Sequence, residues 1–452
     1  MANVLPFGAL RFDPSRVKME EVLTQPYDKI TPEMQERYYS ASPHNLVRVE
    51  LGKKNDSDDD QDNVYTRAAA FLKEQRENGV ILEESSPSIY AYSQRFEVPG
   101  EPGHMMERRG FIAVGKLYDY SDNVVHRHEQ TLAKPKADRL ELLRKTKLHT
   151  GQIFMLYPDS AGEIEKLIYK DCSRQKPDAS LTDEYGVEHQ LWRIADTAVI
   201  LQVRDRMRDK KLIIADGHHR YETALAYRNE RRADKIASLI KSGRTGQSAV
   251  DSSTPFENLM MTFVNIHSNG LLVLPTHRVV AGLANFNAQA LIDKITPFFA
   301  VEKLKDSSAD AVLAALRKAG EKGSALALCA KNKAWLLRAH EEEIDKAAPL
   351  ANLSAAQRGL DVLRLHKVLL EFGLGITEEA VRQGQHLTYL RNHKDAVDRV
   401  QSGDGGAQAA FLMNAVSMDQ LESISFAGEV MPQKSTDFYP KLLSGITMQS
   451  VE

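Results

Sequence analysis

Apolar residues along the chain fall into two spacings. Ser88 to Phe96 (SIYAYSQRF) alternates and is rich in aromatics, the period-two pattern of a half-buried strand. Pro99 to Gly103 is turn material, and Gly110 to Tyr118 (GFIAVGKLY) reads as the returning strand. Ile153 to Tyr157 (IFMLY) and Leu212 to Ala215 (LIIA) are short continuous apolar runs, the signature of buried strands. Helical spacing places Val64, Ala68, Phe71 and Leu72 on one face, Leu140 and Leu143 on a basic helix, and Tyr221, Ala224 and Leu225 on a helix after LIIA.

Other segments are irregular. Five prolines from Pro6 to Pro43 break the first section into short pieces. Asn55 to Asn63 (NDSDDDQDN) lacks the central glycine and final glutamate of a calcium loop and reads as a solvated loop. Lys241 to Ser253 has the small polar residues of a loop. Met260 to Val264 and Leu271 to Leu274 predict a hairpin around Asn269-Gly270. From Asn285 the pattern is mainly helical, with strands near Ala325 to Cys329 and Trp335 to Leu337. Ala410 to Tyr439 reads as strand and turn. The sum is a mixed α+β fold divided near residue 255: an N-terminal α+β region over 1–255 and a C-terminal α/β region over 256–452.

Composition narrows the class. With 452 residues, 42% hydrophobic and 27% charged, the chain can build two or three cores. A net charge of −3 gives no global pull towards DNA or anionic membrane. Two distant cysteines, Cys172 and Cys329, exclude a disulfide framework and a multi-cysteine zinc module. The N-terminus lacks a secretory pattern, and no apolar run reaches membrane-spanning length, so a cytoplasmic protein is expected.

The chemistry concentrates in Asp216-Gly217-His218-His219-Arg220. A buried strand, a turn holding glycine and a following helix make an anion site, because the first helical turn presents N–H groups and partial positive charge. Gly217 permits φ > 0 or close approach of a ligand. Arg220 offers a fork suited to phosphate oxygens, the histidines add donors, and Asp216 can cap the helix or hold a histidine tautomer. An ordinary Asp-Gly surface turn with solvated histidines has the same pattern.

The stretch LIIADGHHRYETAL resembles the phosphate-binding segment of the ParB/sulfiredoxin superfamily. Sulfiredoxins carry Gly-Cys-His-Arg there, ParB proteins Gly-Glu-Arg-Arg, and the ADP-dependent free-serine kinases Asp-Gly-His-His-Arg. The resemblance implies a ParB/sulfiredoxin-like nucleotide-binding core in which Asp216, Gly217, His218, His219 and Arg220 meet nucleotide phosphates. His218 stands where sulfiredoxins have the reactive cysteine, which argues against sulfinic-acid repair. No helix-turn-helix or basic segment supports DNA binding.

More widely, the chain resembles the family of domain of unknown function 1015. The carrying pieces are Pro26-Tyr27-Asp28, His128-Glu129-x-Thr131, Pro135-Lys136-x-Asp138-Arg139-Leu140, the DGHHR segment, Leu274-Pro275-Thr276-His277-Arg278, and Lys434-Ser435-Thr436 through Pro440-Lys441. Gln25 stands where that family would place a second proline, and Asp437 where it would place tyrosine.

By the kinase resemblance, Glu129 is the base that deprotonates an acceptor hydroxyl, with His128 and His219 as catalytic partners. A surface glutamate capping the helix around Asp138 is the competing reading, and Tyr27-Asp28 is a rival for the base. Thr276, His277, Arg278, Lys434 and Thr436 are candidate substrate or phosphate contacts, or else edge-strand and salt-bridging residues. The expected cofactors are a nucleotide (ATP, ADP or CTP) and Mg²⁺, and the expected activity is a kinase acting on a small hydroxyl-bearing metabolite. Two alternatives stand beside it: a nucleotide-binding switch without turnover, and a hydrolase with a metal on His126, His128, His218 and His219. The expected partners are the nucleotide and a small-molecule substrate, with no nucleic acid and no membrane; a homo-oligomer is left open.

Overall fold

The computed structural model describes residues 2–129, 133–241 and 254–452. The loop expected over Lys241 to Ser253 therefore lies, from residue 242 on, outside the described residues, as do Thr131 and the side chain of Pro135. The chain is of mixed α and β structure. It divides into two compact units. Unit 1 comprises Met1–Arg127, Thr131–Leu271 and Pro440–Glu452; unit 2 comprises His128–Gln130 and Leu272–Tyr439.

Unit 1 is built on a nine-stranded sheet. Its order runs Val125–His126, Leu212–Asp216, Ile153–Tyr157, Asn258–Asn265, Met105–Lys116, Ile89–Glu97, Glu188–Ile194 and Ala179–Thr182, with Val4–Leu5 also on Met105–Lys116. The apolar runs Leu212–Ala215 and Ile153–Tyr157 are inner strands of it, buried along their length, so alternation is not needed. Ile153, Met155, Ile214, Phe111 and Phe263 share one core with Tyr221 of the long helix His218–Lys241. Each such side chain contributes about 1.5–3 kcal/mol relative to leaving it in water. The helix is also pinned by polar contacts. The Tyr221 hydroxyl donates to the Tyr118 carbonyl at 2.8 Å, and Arg228 donates to the Leu117 carbonyl at 2.8 Å.

Unit 2 carries a six-stranded antiparallel sheet, ordered Phe299–Lys303, Lys333–Ala339, Ala325–Ala330, Ala407–Met413, His277–Ala281 and Leu387–Leu390. Helices Ala309–Gly320 and His393–Ser402 bury Val312, Leu316, Val397 and Val400 against Ala327, Leu336 and Leu412.

Four expectations change. The cut near residue 255 gives way to a boundary after Leu271, because Asn258–Asn265 pairs with Met105–Lys116 and Ile153–Tyr157 inside the unit 1 sheet. The C-terminal segment also returns to unit 1, where Gln449–Ser450 pairs with Leu148–His149. The Asn269-Gly270 hairpin does not form: both edges of Asn258–Asn265 are already taken, and Leu272–Leu274 pairs with Asp437–Tyr439 in unit 2. Gly270 serves close approach instead, since a Cβ there would lie 2.0 Å from the Glu107 carbonyl oxygen. The region after Asn285 holds more sheet than its helical pattern suggested, and Ala410 to Tyr439 contains a helix, Met418–Phe426, started by a Ser417–Gln420 capping box. Among the described residues no helix is long and apolar enough to cross a membrane.

Candidate functional site

The strand Leu212–Asp216 pairs with Ile153–Tyr157 in register until Ile214, then slips so that Asp216 faces Phe154. Such a bulge re-aims the side chain at the end of a strand. Gly217 follows with φ +93°, a region closed to most L-residues by sterics. The Tyr221 N–H then donates to the Gly217 carbonyl at 2.9 Å, so the helix begins directly at the turn. The first turn of any helix presents N–H groups that have no acceptor within the helix.

Positive charge converges on this turn. Lys441 Nζ lies 3.5 Å from the Asp216 carboxylate. Burial alone would raise the Asp216 carboxyl, but Lys441, Arg220, Lys29 and His218 outweigh it and hold the group well below the usual carboxylate range. Asp216 is thus ionised and heavily outnumbered by cations. Lys441 is placed by buried polar groups of the sheet. Arg108, itself 1% exposed, donates to the Pro440 carbonyl at 2.6 Å, and Gln94 donates to the Lys441 carbonyl at 2.8 Å.

The Arg220 guanidinium folds back over the turn. Its Nη1 donates to the Gln152 carbonyl at 2.7 Å, and its Nε and Nη2 have no hydrogen-bond acceptor among the described residues. Two glycines make room for it: a Cβ on Gly151 would lie 2.6 Å from Nη1, and one on Gly217 would lie 3.3 Å from Nη2. Beside Arg220 opens a cavity of about 50 Å³ lined by Tyr27, Glu50, Arg139, His149, Thr150 and Thr223, with Leu142, Leu143 and Leu148 as apolar wall. Arg139 stacks over the Tyr27 ring at 4.4 Å. Burial, with Arg220 adding to it, pushes His149 down to about 4, so the ring is neutral at physiological pH. Burial also raises the Tyr27 phenol, which stays protonated and able to donate.

Unit 2 gathers a second set of the expected residues. His128 Nε2 and Thr436 Oγ1 are 2.8 Å apart, and the His128 carbonyl accepts from the Met431 N–H at 2.8 Å. The Glu129 carboxylate accepts from the Lys434 N–H at 3.2 Å. On the other side of that residue, Arg278 donates to the Lys434 carbonyl at 3.1 Å. Lys434 itself has φ +58°. Thr276, His277 and Arg278 are all buried; the His277 ring accepts from the Met413 N–H at 3.4 Å, which makes it a neutral acceptor in the sheet. Burial, with His393 and Arg278 adding to it, pushes His277 down to about 3.

Over residues 4–363 the sequence matches the family described as Protein of unknown function (DUF1015). The chain belongs to the DUF1015 family. No curated protein matches the sequence. Among solved structures similar to this DUF1015 chain is a conserved hypothetical protein from Pyrococcus furiosus. It is 14% identical, the match covering 73% of this chain and 93% of that one at a TM-score of 0.33. A free serine kinase in complex with AMP is 14% identical over 74% of this chain and 91% of its own, with a TM-score of 0.35. SbnI with C-terminal truncation from Staphylococcus aureus is 9% identical over 74% and 85%, with a TM-score of 0.34.

In this DUF1015 chain, then, Tyr27, Asp216, Gly217, His218, His219 and Arg220 belong to unit 1, whereas His128, Glu129, Thr276, His277, Arg278, Lys434 and Thr436 belong to unit 2. Asp28 is exposed beside Tyr27. Glu129 accepts the backbone N–H of Lys434, while the residues that lead into the helix around Asp138 lie outside the described residues. The two atypical positions sit in local networks. Gln25 donates to Asp183 at 3.2 Å, and Asp437 accepts from Arg391 at 2.6 Å. Residues that the sequence did not single out as site residues are Glu50, Arg139, His149, Gly151, Thr223 and Lys441. Arg139 and Lys441 at least stand in family pieces, while Glu50 carries no local signal. No group of three or more His, Cys, Asp or Glu side chains placed to hold a metal ion occurs among the described residues.

Proposed function

We propose that this protein binds nucleotide phosphates at the Gly217 turn and transfers a phosphoryl group to a small hydroxyl-bearing metabolite. The observation that supports it is the convergence of Lys441, Arg220, Lys29 and His218 on one helix-initiating turn, with Arg220 Nε and Nη2 left for a ligand. Phosphoryl transfer asks the protein mainly for positioning and for positive charge around the moving group. A phosphate at this turn meets helix N–H groups and the planar Arg220 fork together. Mg²⁺ would enter with the nucleotide and add positive charge around the moving group.

Glu129 is the proposed base. As the acceptor oxygen forms its bond to phosphorus, the bond to the leaving phosphate oxygen breaks, and the acceptor proton passes to the carboxylate. His128 and His219 are proposed as its catalytic partners, and Lys434 and Thr436 as acceptor contacts.

The test combines thermal stabilisation and calorimetry with ATP, ADP and CTP, with and without Mg²⁺, and turnover of labelled nucleotide against pooled amino acids and sugars. A nucleotide is expected to bind, and one pool to accept label. Glu129→Gln is expected to abolish turnover while leaving nucleotide affinity within a few-fold. Binding without turnover in any pool would replace the kinase by a nucleotide-operated switch. No binding of nucleotide or pyrophosphate would overturn the site itself.

A further inference from the structure

Beside the turn, the cavity next to Arg220 holds an imbalance that the phosphate site does not explain. Glu50 is 4% exposed, yet the only hydrogen bond its carboxylate accepts among the described residues comes from the Thr150 hydroxyl. No basic side chain among the described residues closes it in an ion pair. Arg139 is near but committed: its Nη1 donates to the Glu50 backbone carbonyl at 2.9 Å, and its Nε and Nη2 go to Asp138 at 2.9 and 2.6 Å. A carboxylate has about four lone-pair sites, and a single neutral donor leaves most of those of Glu50 open to a ligand in the cavity. Thr223, 4% exposed and on the cavity wall, has a hydroxyl with no hydrogen-bond partner. The Tyr27 phenol likewise makes no hydrogen bond among the described residues.

We infer that this cavity is the ribose subsite of the nucleotide site, with the Glu50 carboxylate accepting hydrogen bonds from the 2′,3′-diol and Thr223 and Tyr27 bonding the same sugar edge. The inference rests on the phosphate reading of the Gly217 turn and goes beyond it. Charge narrows the ligand. Arg139 is already paired with Asp138, which leaves the Arg220 guanidinium and the Glu50 carboxylate of the lining close to balance, so a charged group placed against Glu50 is either repelled by it, if an anion, or by Arg220, if a cation. Neutral hydroxyl donors satisfy the carboxylate without adding charge. Size agrees with this. At about 50 Å³ the cavity holds a few water-sized groups, given that one water needs roughly 10–15 Å³. A sugar edge fits, and a nucleobase does not. Arg220 and Thr223 are three residues apart on one helix face, so a 5′-phosphate at the turn and a diol in the cavity lie along the same face.

Calorimetry on the full chain would compare ATP, ADP and CTP with their 2′,3′-dideoxy forms and with pyrophosphate, in the wild type and in Glu50→Gln. The dideoxy forms are expected to bind at least about ten-fold more weakly, as loss of hydrogen bonds to a charged group implies. Glu50→Gln is expected to weaken the ribonucleotides by a similar factor and to leave dideoxy forms and pyrophosphate within about two-fold. Equal affinity for ribo and dideoxy forms, with pyrophosphate still bound, would overturn the ribose subsite and leave the phosphate site standing. If neither nucleotides nor pyrophosphate bind, both fall. Should Glu50→Gln fail to fold, the wild-type ribo-against-dideoxy comparison decides alone.

Discussion

Two backbone positions in left-handed geometry organise the two groups of polar residues, and they do so in opposite ways. In unit 1 the position is Gly217, φ +93°, where the absence of a Cβ makes the conformation nearly free of steric cost. In unit 2 it is Lys434, φ +58°, where a side chain makes the same region unfavourable and the surroundings must over-determine it. The surroundings do so: Glu129 takes the Lys434 N–H and Arg278 takes its carbonyl. Among the described residues no side chain hydrogen-bonds the Gly217 backbone, and Arg220 Nε and Nη2 have no acceptor. The lysine turn spends a carboxylate and a guanidinium on its own backbone, and in return fixes where that carboxylate points. One arrangement is suited to binding, the other to positioning.

The largest effect expected from breaking this contrast is at the glycine. Gly217→Ala places a Cβ 3.1 Å from Ile153 Cδ1 and 3.3 Å from Arg220 Nη2 in a backbone region that alanine disfavours. A stability loss of about 1–3 kcal/mol is expected. Because the turn and Arg220 shift together, phosphate binding should fall about a hundred-fold or more. Urea denaturation and pyrophosphate calorimetry check the two parts. An alanine variant with unchanged affinity would separate the turn geometry from binding.

Next comes the fork. Arg220→Ala should weaken nucleotide binding by about ten-fold to a hundred-fold, with Arg220→Lys recovering only part, since lysine supplies charge but not two parallel hydrogen bonds. The alanine variant should also lose about 1 kcal/mol of stability, because the buried Gln152 carbonyl loses its donor. Equal affinity in all three proteins would remove Arg220 from the phosphate site.

Lys441→Met should act more mildly, by about ten-fold on phosphate affinity, and through pH on stability. The Asp216 carboxyl is depressed in the folded state, so its contribution is present above the unfolded value of about 3.9 and is lost as pH falls through the lower folded value. Lys441→Met removes the first of the charges that lower it. The stability gap between wild type and variant, about 1 kcal/mol or less for a partly exposed pair, should be full at pH 7 and shrink below pH 4. A gap that widens on acidification would contradict the pairing.

These residues also mark what sequence could carry. The strand, turn and helix around Gly217 were legible because LIIA is a continuous apolar run and the helix after it has its own period. The glycine fell between the two as a local signal. The hairpin at Asn269-Gly270 was misread because a turn dipeptide cannot report that both edges of the preceding strand are occupied by Met105–Lys116 and Ile153–Tyr157. Lys441 and Glu50 were not legible as site residues, since each is a lone charge whose meaning comes from groups far away in the chain, Asp216 for one and the Arg220 cavity for the other. The unit boundary failed for a similar reason. An excursion as short as His128–Gln130 leaves no mark on composition or periodicity.

The smallest expected effect lies at Lys434 and asks whether its clamps hold a strained residue or merely decorate a turn. Lys434→Gly keeps the left-handed conformation and removes its steric cost, which is roughly 1–2 kcal/mol for a side-chain-bearing residue. It also adds unfolded-state freedom worth about 0.4–1 kcal/mol in the opposite sense. The net should be a gain of a few tenths to about 1 kcal/mol. The glycine variant keeps the N–H that Glu129 accepts and the carbonyl that Arg278 bonds, so neither clamp is cut. The coupling is the informative part. If Glu129 stabilises the strained turn, Glu129→Ala should cost more in the lysine protein than in the Lys434→Gly background, because glycine holds the geometry without help. Residues in direct contact typically couple by about 0.5–3 kcal/mol. Urea denaturation of the four proteins in that cycle measures it. A coupling of zero would mean that the Lys434 backbone holds its conformation without Glu129, and that the carboxylate is placed by other contacts.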